Sequence, residues 1–225
     1  MDGFDNSAYK KERLKAINGA IISDRSYNLV IGGMLLWGIV INVLMAVFLT
    51  NTILRMNPIL VLVLYVAGTL GCTFVVYKST SPVISFAGFS GLAACMGLVL
   101  CFFIAEYQLG TVSLAFQMTA IITVAMMILA TLFPGFFMSI GRSLGLALIL
   151  SIVVELVAGF IFKANLQIMD YVIVIIFCGY IGFDWAKAQI YPKTLDNAID
   201  SAADIYVDVV NIFIRLLIIF GKRDD

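Results

Sequence analysis

This sequence predicts an all-α integral membrane protein, a bundle of membrane-crossing helices, on three observations. Of its 225 residues, 62% are hydrophobic and only 12% are charged, against roughly 45–50% and ~25% in a soluble domain; mean hydropathy is +1.06. Six stretches hold about 20 mostly apolar residues in a row, the length that crosses a bilayer. Each of the four prolines, Pro58, Pro82, Pro134 and Pro192, falls at a boundary between segments, where a missing backbone donor costs least.

The six clear spans are 29–50, 59–77, 83–105, 112–133, 144–162 and 171–190, and a weaker seventh runs over 201–220. Residues 1–28 are too polar for a cleavable signal peptide. With Lys10, Lys11, Arg13 and Lys15 they read as a cytoplasmic N-terminal segment, so the first span acts as the insertion signal. Residues 29–221 read as one seven-helix transmembrane domain, and 222–225 as a short tail. Lys and Arg are concentrated on the cytoplasmic side of membrane proteins. A cytoplasmic N-terminus puts Arg25, Lys78, Arg142, Lys187 and Lys193 inside and only Arg55 and Lys163 outside, leaving the side of the C-terminus open. Short loops fit a bacterial inner membrane, with the lipid bilayer as the obligatory partner.

Composition also excludes function classes. Net charge is zero, so no nucleic-acid surface is expected, and there is no histidine. That absence removes Ser-His and Cys-His nucleophile pairs, histidine metal sites and a histidine pH switch. Cys72, Cys95, Cys101 and Cys178 lie in apolar runs without a C-x-x-C spacing and read as small hydrophobes. "GRSLG" at 141–145 matches a nucleophile elbow, but no strand precedes it, so its G-x-x-x-G spacing reads as a helix-packing signal. Lys78-Ser79 lacks the glycine loop of a phosphate site. The chain is therefore expected to be no enzyme and to need no cofactor, and any transport is passive or driven by ion gradients.

The informative stretch is "DNAIDSAADIYVDVVNIFIRLL", residues 196–217. At about 100° per residue, Asp200, Asp204, Asp208, Asn211 and Arg215 share an arc of roughly 80°, and Asn197 joins it. Lipid cannot face such a stripe, since an aspartate at the bilayer centre costs roughly 2.5–3.5 kcal/mol. The stripe must face other helices or a water-filled cavity. Asp196, Asp200 and Asp204 read most simply as an acidic first turn near the cytoplasmic surface, favoured by the helix dipole, with pore access as the alternative. Arg215 could pair with Asp208 but is expected to snorkel to the far interface.

Asp208 lies deeper, and the preceding span offers a second acid. Asp184 stands about 9 Å inside the end of "DYVIVIIFCGYIGFDWAKAQIYP". Consecutive antiparallel spans bring the two to similar depth, with Gly179 and Gly182 allowing close approach. Two carboxylates meeting in a dry bundle share a proton at low pH. At higher pH they become an oxygen site for a hard cation such as calcium. The alternative ties each acid separately to a lysine or a tyrosine hydroxyl. Glu155, in "SIVVELVAGF", extends an ion path or bonds to a Ser, Thr or Tyr; Glu106 is an interfacial charge.

"AIDSAADIYVDVVNIFIRLLIIFG" resembles the last helix of the Bax inhibitor-1 family, the transmembrane BAX inhibitor motif proteins, and "GYIGFDWAKAQ" resembles its sixth. The resemblance covers about residues 25–221. It implies a seven-helix bundle with the last helix central, and it matches Asp184 and Asp208 to the family's paired aspartates, which are thought to set a pH-dependent calcium leak. Members of the leak type have an arginine latch in the second helix. Here "ILVLVLYVAGTLGCTFVVYK" has neither arginine nor acid, and Lys78 at its end is the candidate substitute, with a point charge in place of a planar fork. The expectation is a pH-sensitive passive cation leak, with Asp204, Asn211, Arg215 and Glu155 along the path. A non-conducting regulator that binds other membrane proteins is the alternative.

Overall fold

The computed structural model describes residues 20–160 and 167–221. The expected N-terminal segment (Lys10 to Lys15 included), Lys163 and the 222–225 tail lie wholly or largely outside them. Eight helices are found among the described residues: α1 (Asp24–Phe48), α2 (Thr50–Leu54), α3 (Pro58–Lys78), α4 (Pro82–Glu106), α5 (Leu109–Leu132), α6 (Pro134–Phe160), α7 (Gln167–Ile190) and α8 (Leu195–Phe220). Six of them, α1 and α3 to α7, are long and apolar enough to cross a membrane. The expected count of seven is exceeded because the first span breaks at Leu49 and leaves the five-residue α2. There the Thr50 hydroxyl bonds back to the Ala46 carbonyl at 2.7 Å, a contact that bends helices.

Helix starts follow local chemistry. The Ser23 side chain accepts from the Ser26 amide and Asp24 sits in the first turn, so α1 begins five residues before the apolar run. Asn57 caps α3, with Pro58 at its first position. Thr194 Oγ1 accepts from the Asn197 amide at 3.2 Å and caps α8. The Lys193 ammonium donates to the carbonyls of Ala188 (3.2 Å) and Gln189 (2.9 Å) and lies 4.4 Å over the Tyr27 ring. It thereby closes the last turn of α7, where a cation is favoured. Ile22 donates its amide to the Lys193 carbonyl, tying the entry to α1 onto the α7–α8 turn.

The chain packs as two compact units. Unit 1 holds the described residues up to Phe102 together with Ala188–Tyr206; unit 2 holds Phe103–Lys187 and the chain from Val207. In unit 1, Met45, Ile53, Val61 and Cys101 form one apolar cluster. The first part of α8 is enclosed there: from Asp196 to Tyr206 every residue is buried except Asp204, which is half-buried. In unit 2, Ala115, Ile173, Phe177, Ile181, Ile212, Leu216 and Leu217 make the core. Glycines make the α6–α7 seam possible. A Cβ at Gly141 would strike the Phe183 ring, one at Gly179 the Leu144 side chain, and one at Gly182 the Phe137 ring. "GRSLG" is thus packing surface, and Gly179 and Gly182 admit α6 side chains.

Candidate functional site

The polar residues of α8 are answered turn by turn, and the partners differ between the units. In unit 1 the donors are hydroxyls and an amide. Ser85 of α4 donates to Asp196 Oδ1 at 2.6 Å. The Tyr27 hydroxyl of α1 lies 3.2 Å from the Asn197 carbonyl and 3.1 Å from Ser201 Oγ. Tyr77 of α3 donates to Asp204 Oδ1, and Asn42 of α1 donates to the Tyr206 hydroxyl. Asp200 is only 1% exposed. Asp196 does stand in the first turn of α8, but the expectation that these acids lie near the cytoplasmic surface is corrected: Asp196 and Asp200 are buried. A carboxylate can sit inside an apolar unit only where donors meet it, and hydroxyls from α4 and α3 do so here, at Asp196 and Asp204.

In unit 2 ion pairs take over. Arg215 does not snorkel. Its guanidinium grips Glu155 with two bonds, Nη1 to Oε1 at 2.7 Å and Nη2 to Oε2 at 3.0 Å, and Nη1 also reaches Asp170 Oδ1 at 2.7 Å. One planar fork thus joins α6, α7 and α8. Lipid makes snorkelling attractive only when no acid is within reach, and here two are; charge-assisted, bidentate contact is the stronger solution. Glu155 accordingly binds an arginine and not a Ser, Thr or Tyr hydroxyl. Asp170, at the opening of α7, was not singled out in the sequence. Its signal was a carboxylate at the start of an apolar run, which also fits an ordinary helix-dipole residue.

Asp184 and Asp208 are both buried in unit 2, at 7% and 5% exposure. Asp184 accepts from the Lys187 ammonium one turn on, at 2.5 Å. The Tyr180 hydroxyl, one turn before Asp184, stands within the electrostatic reach of Asp208, Asp184 and Lys187. A Cβ on Gly145 of α6 would meet that hydroxyl at 3.6 Å. Tyr180 and Lys187 are site residues that the sequence reading left out, though the i, i+3 and i, i+4 spacings to Asp184 carried the signal. Asn211 Nδ2 donates to the Val207 carbonyl within its own helix, at 2.8 Å. Lys78 is exposed at the end of α3, in unit 1, and makes no ion pair among the described residues. No group of three or more Cys, Asp or Glu poised to hold a metal ion occurs among the described residues.

Long apolar helices with acids held inside define an integral membrane protein of the helical-bundle class. The chain belongs to the family described as Inhibitor of apoptosis-promoting Bax1, whose sequence profile matches residues 21–225. Its relatives include an uncharacterized protein of Helicobacter pylori strain J99, 31% identical over 144 residues, which are 63% of this chain and 60% of that one. An uncharacterized membrane protein of Streptococcus pyogenes serotype M3 is 31% identical over 139 residues, 59% of this chain and 61% of its own. An uncharacterized protein of Lactococcus lactis is 26% identical over 233 positions, 96% of each chain. The first two matches each cover less than two thirds of the relative's length.

Proposed function

We propose that this protein is a passive, pH-sensitive leak for cations, calcium foremost, in a bacterial inner membrane, with its N-terminus in the cytoplasm. The observation that carries the reading is the burial of two carboxylates, Asp184 and Asp208, in one unit of a membrane protein. Ionisable residues facing the inside of a membrane bundle are costly and mark ion and proton paths by default. Family membership supports the same assignment, through the paired aspartates to which the resemblance matches these two.

In this reading protonation is the gate. At low pH the pair holds a proton and repulsion between the two acids is relieved. At higher pH both ionise and present oxygens to a hard cation. Two carboxylates without a fuller ligand set hold calcium loosely, which suits passage better than storage. Lys187, already on Asp184, moderates the charge of the pair. Within unit 2, Asn211, Glu155 and Arg215 are the candidate route residues, with the Arg215 cluster at the opposite end of α7 from Asp184. Asp170 and Asp184 are 14 residues apart in sequence, about 21 Å along that helix.

Calcium entry into proteoliposomes, followed across a pH series, tests the reading. The wild type should show flux that changes steeply with pH, and Asp208→Asn should flatten that dependence. A pH profile unchanged in Asp208→Asn removes the gate from this pair. Flux no greater than in empty liposomes leaves the non-conducting membrane regulator.

A further inference from the structure

Two of the four cysteines share a local pattern, Gly68-x-x-x-Cys72 on α3 and Gly91-x-x-x-Cys95 on α4. A Cβ on Gly68 would lie 3.7 Å from that of Cys95, and one on Gly91 would lie 3.8 Å from that of Cys72. Position 68 therefore stands level with 95, and 72 with 91, in an antiparallel register. Each sulfur rests on the glycine opposite; Cys72 Sγ is 2.7 Å from where a Gly91 Cβ would be.

Helical side chains lean toward their own N-terminus. On antiparallel helices this tilts Cys72 and Cys95 toward each other across the seam. Both cysteines are free and half-buried. Their Cβ carbons are offset by one turn, about 6 Å along the seam, beyond the 3.5–4.5 Å that a disulfide needs. Closing that bond would require the helices to slide. Two sulfurs one helical turn apart across a single seam fit a bridging ion better than a covalent bond.

We propose that Cys72 and Cys95 form a two-sulfur site for a soft monovalent cation of the copper(I) class. Thiol sulfur selects soft ions. Zinc asks for four ligands, and no third Cys, Asp or Glu completes this group among the described residues. Charge balance in an apolar setting sets the valence. One thiol exchanges its proton for the cation, the second thiol donates a lone pair, and the site stays neutral. A charge left bare in such surroundings is strongly disfavoured. One proton leaves for each cation bound, and no oxidation occurs.

The experiment is an anaerobic titration of the whole protein in detergent with silver(I) as probe. Copper(I) is then delivered from a chromophoric chelator, and released protons are counted in weak buffer. One ion should bind per chain with one proton released, and a large excess of zinc should not displace it. Cys72→Ser and Cys95→Ser should each weaken binding on the order of a hundredfold or more, since even outer-shell changes cost 10–100-fold. Cys101→Ser and Cys178→Ser should leave it unchanged. Gly91→Ala keeps both sulfurs but displaces Cys72 Sγ, and should weaken binding about tenfold; it decides the matter if a serine variant fails to fold. Affinity that survives Cys72→Ser, or that follows Cys101 or Cys178, overturns the proposal.

Discussion

Arg215 shows how much one side chain can organise. Its single positive charge meets the two carboxylates of Glu155 and Asp170, so the cluster is one charge negative when all are ionised. Removing the arginine leaves two acids facing each other, whereas removing one acid leaves a neutral pair. Arg215→Gln should therefore be the most damaging change, costing on the order of 3 kcal/mol, while Glu155→Gln should cost less than half of that. Melting temperatures in detergent give the order, and equal losses would deny the charge argument. Arg215→Lys should rescue only in part, because an ammonium cannot form the fork. Lys193 gives a pH signature instead. Burial pulls its ammonium below the ordinary 10.5, with Asp24 pulling back upward. The folded chain thus gives up this proton before the unfolded chain does. The burial penalty is full below the folded value and fades as pH rises through it toward 10.5. The melting temperature of the wild type, relative to Lys193→Met, should rise over that interval.

Helix seams were legible as spacing but not as pairing. "GRSLG" carried a generic small-residue signal, and only the fold shows that its glycine Gly141 admits Phe183 while Gly179 and Gly182 admit Leu144 and Phe137. A methyl at Gly182 would fall into the Phe137 ring, so Gly182→Ala should cost about 1–3 kcal/mol by overpacking. Gly71 of α3 has nothing within 4 Å of its Cβ position. Gly71→Ala should be neutral or stabilising, by up to ~1 kcal/mol, through helix propensity alone. Parallel thermal melts of the two variants separate steric from propensity effects. The acidic helix α8 belongs to the same lesson. Its charged stripe, with Asp204, Asp208 and Arg215 inside one crossing length, keeps it out of the set of six apolar spans, yet it is the helix whose first part is enclosed at nearly every position. Burial there follows from the hydroxyls brought by α1, α3 and α4, which no count along α8 contains.

At the scale of the whole molecule, the topology proposed from Lys and Arg makes a direct prediction. An enzyme reporter active only outside the cytoplasm should be active when fused at Gln108, between α4 and α5, and silent when fused at Ser79, between α3 and α4. The reverse pattern would invert the proposed orientation. The apolar spans could be read from sequence because lipid imposes a local rule: every turn of a crossing helix must be greasy, and its backbone must be satisfied within the segment. That Asp208 lies inside the protein was equally legible, since a stripe on a greasy helix has nowhere else to go; the burial of Asp196 and Asp200 was not, because an acidic first turn near the surface fitted them. What a single chain could not disclose was who meets them. Tyr77 and Asp204 are 127 positions apart, Ser85 and Asp196 are 111, and Arg215 and Glu155 are 60. Side-chain pairing at such separations depends on helix rotation and depth, which are set by the packing of the fold and leave no periodic trace. The sequence alone determined a membrane-spanning α-helical chain with an acidic last helix. Only the tertiary structure decided that hydroxyls answer one part of that helix and an arginine clamp the other.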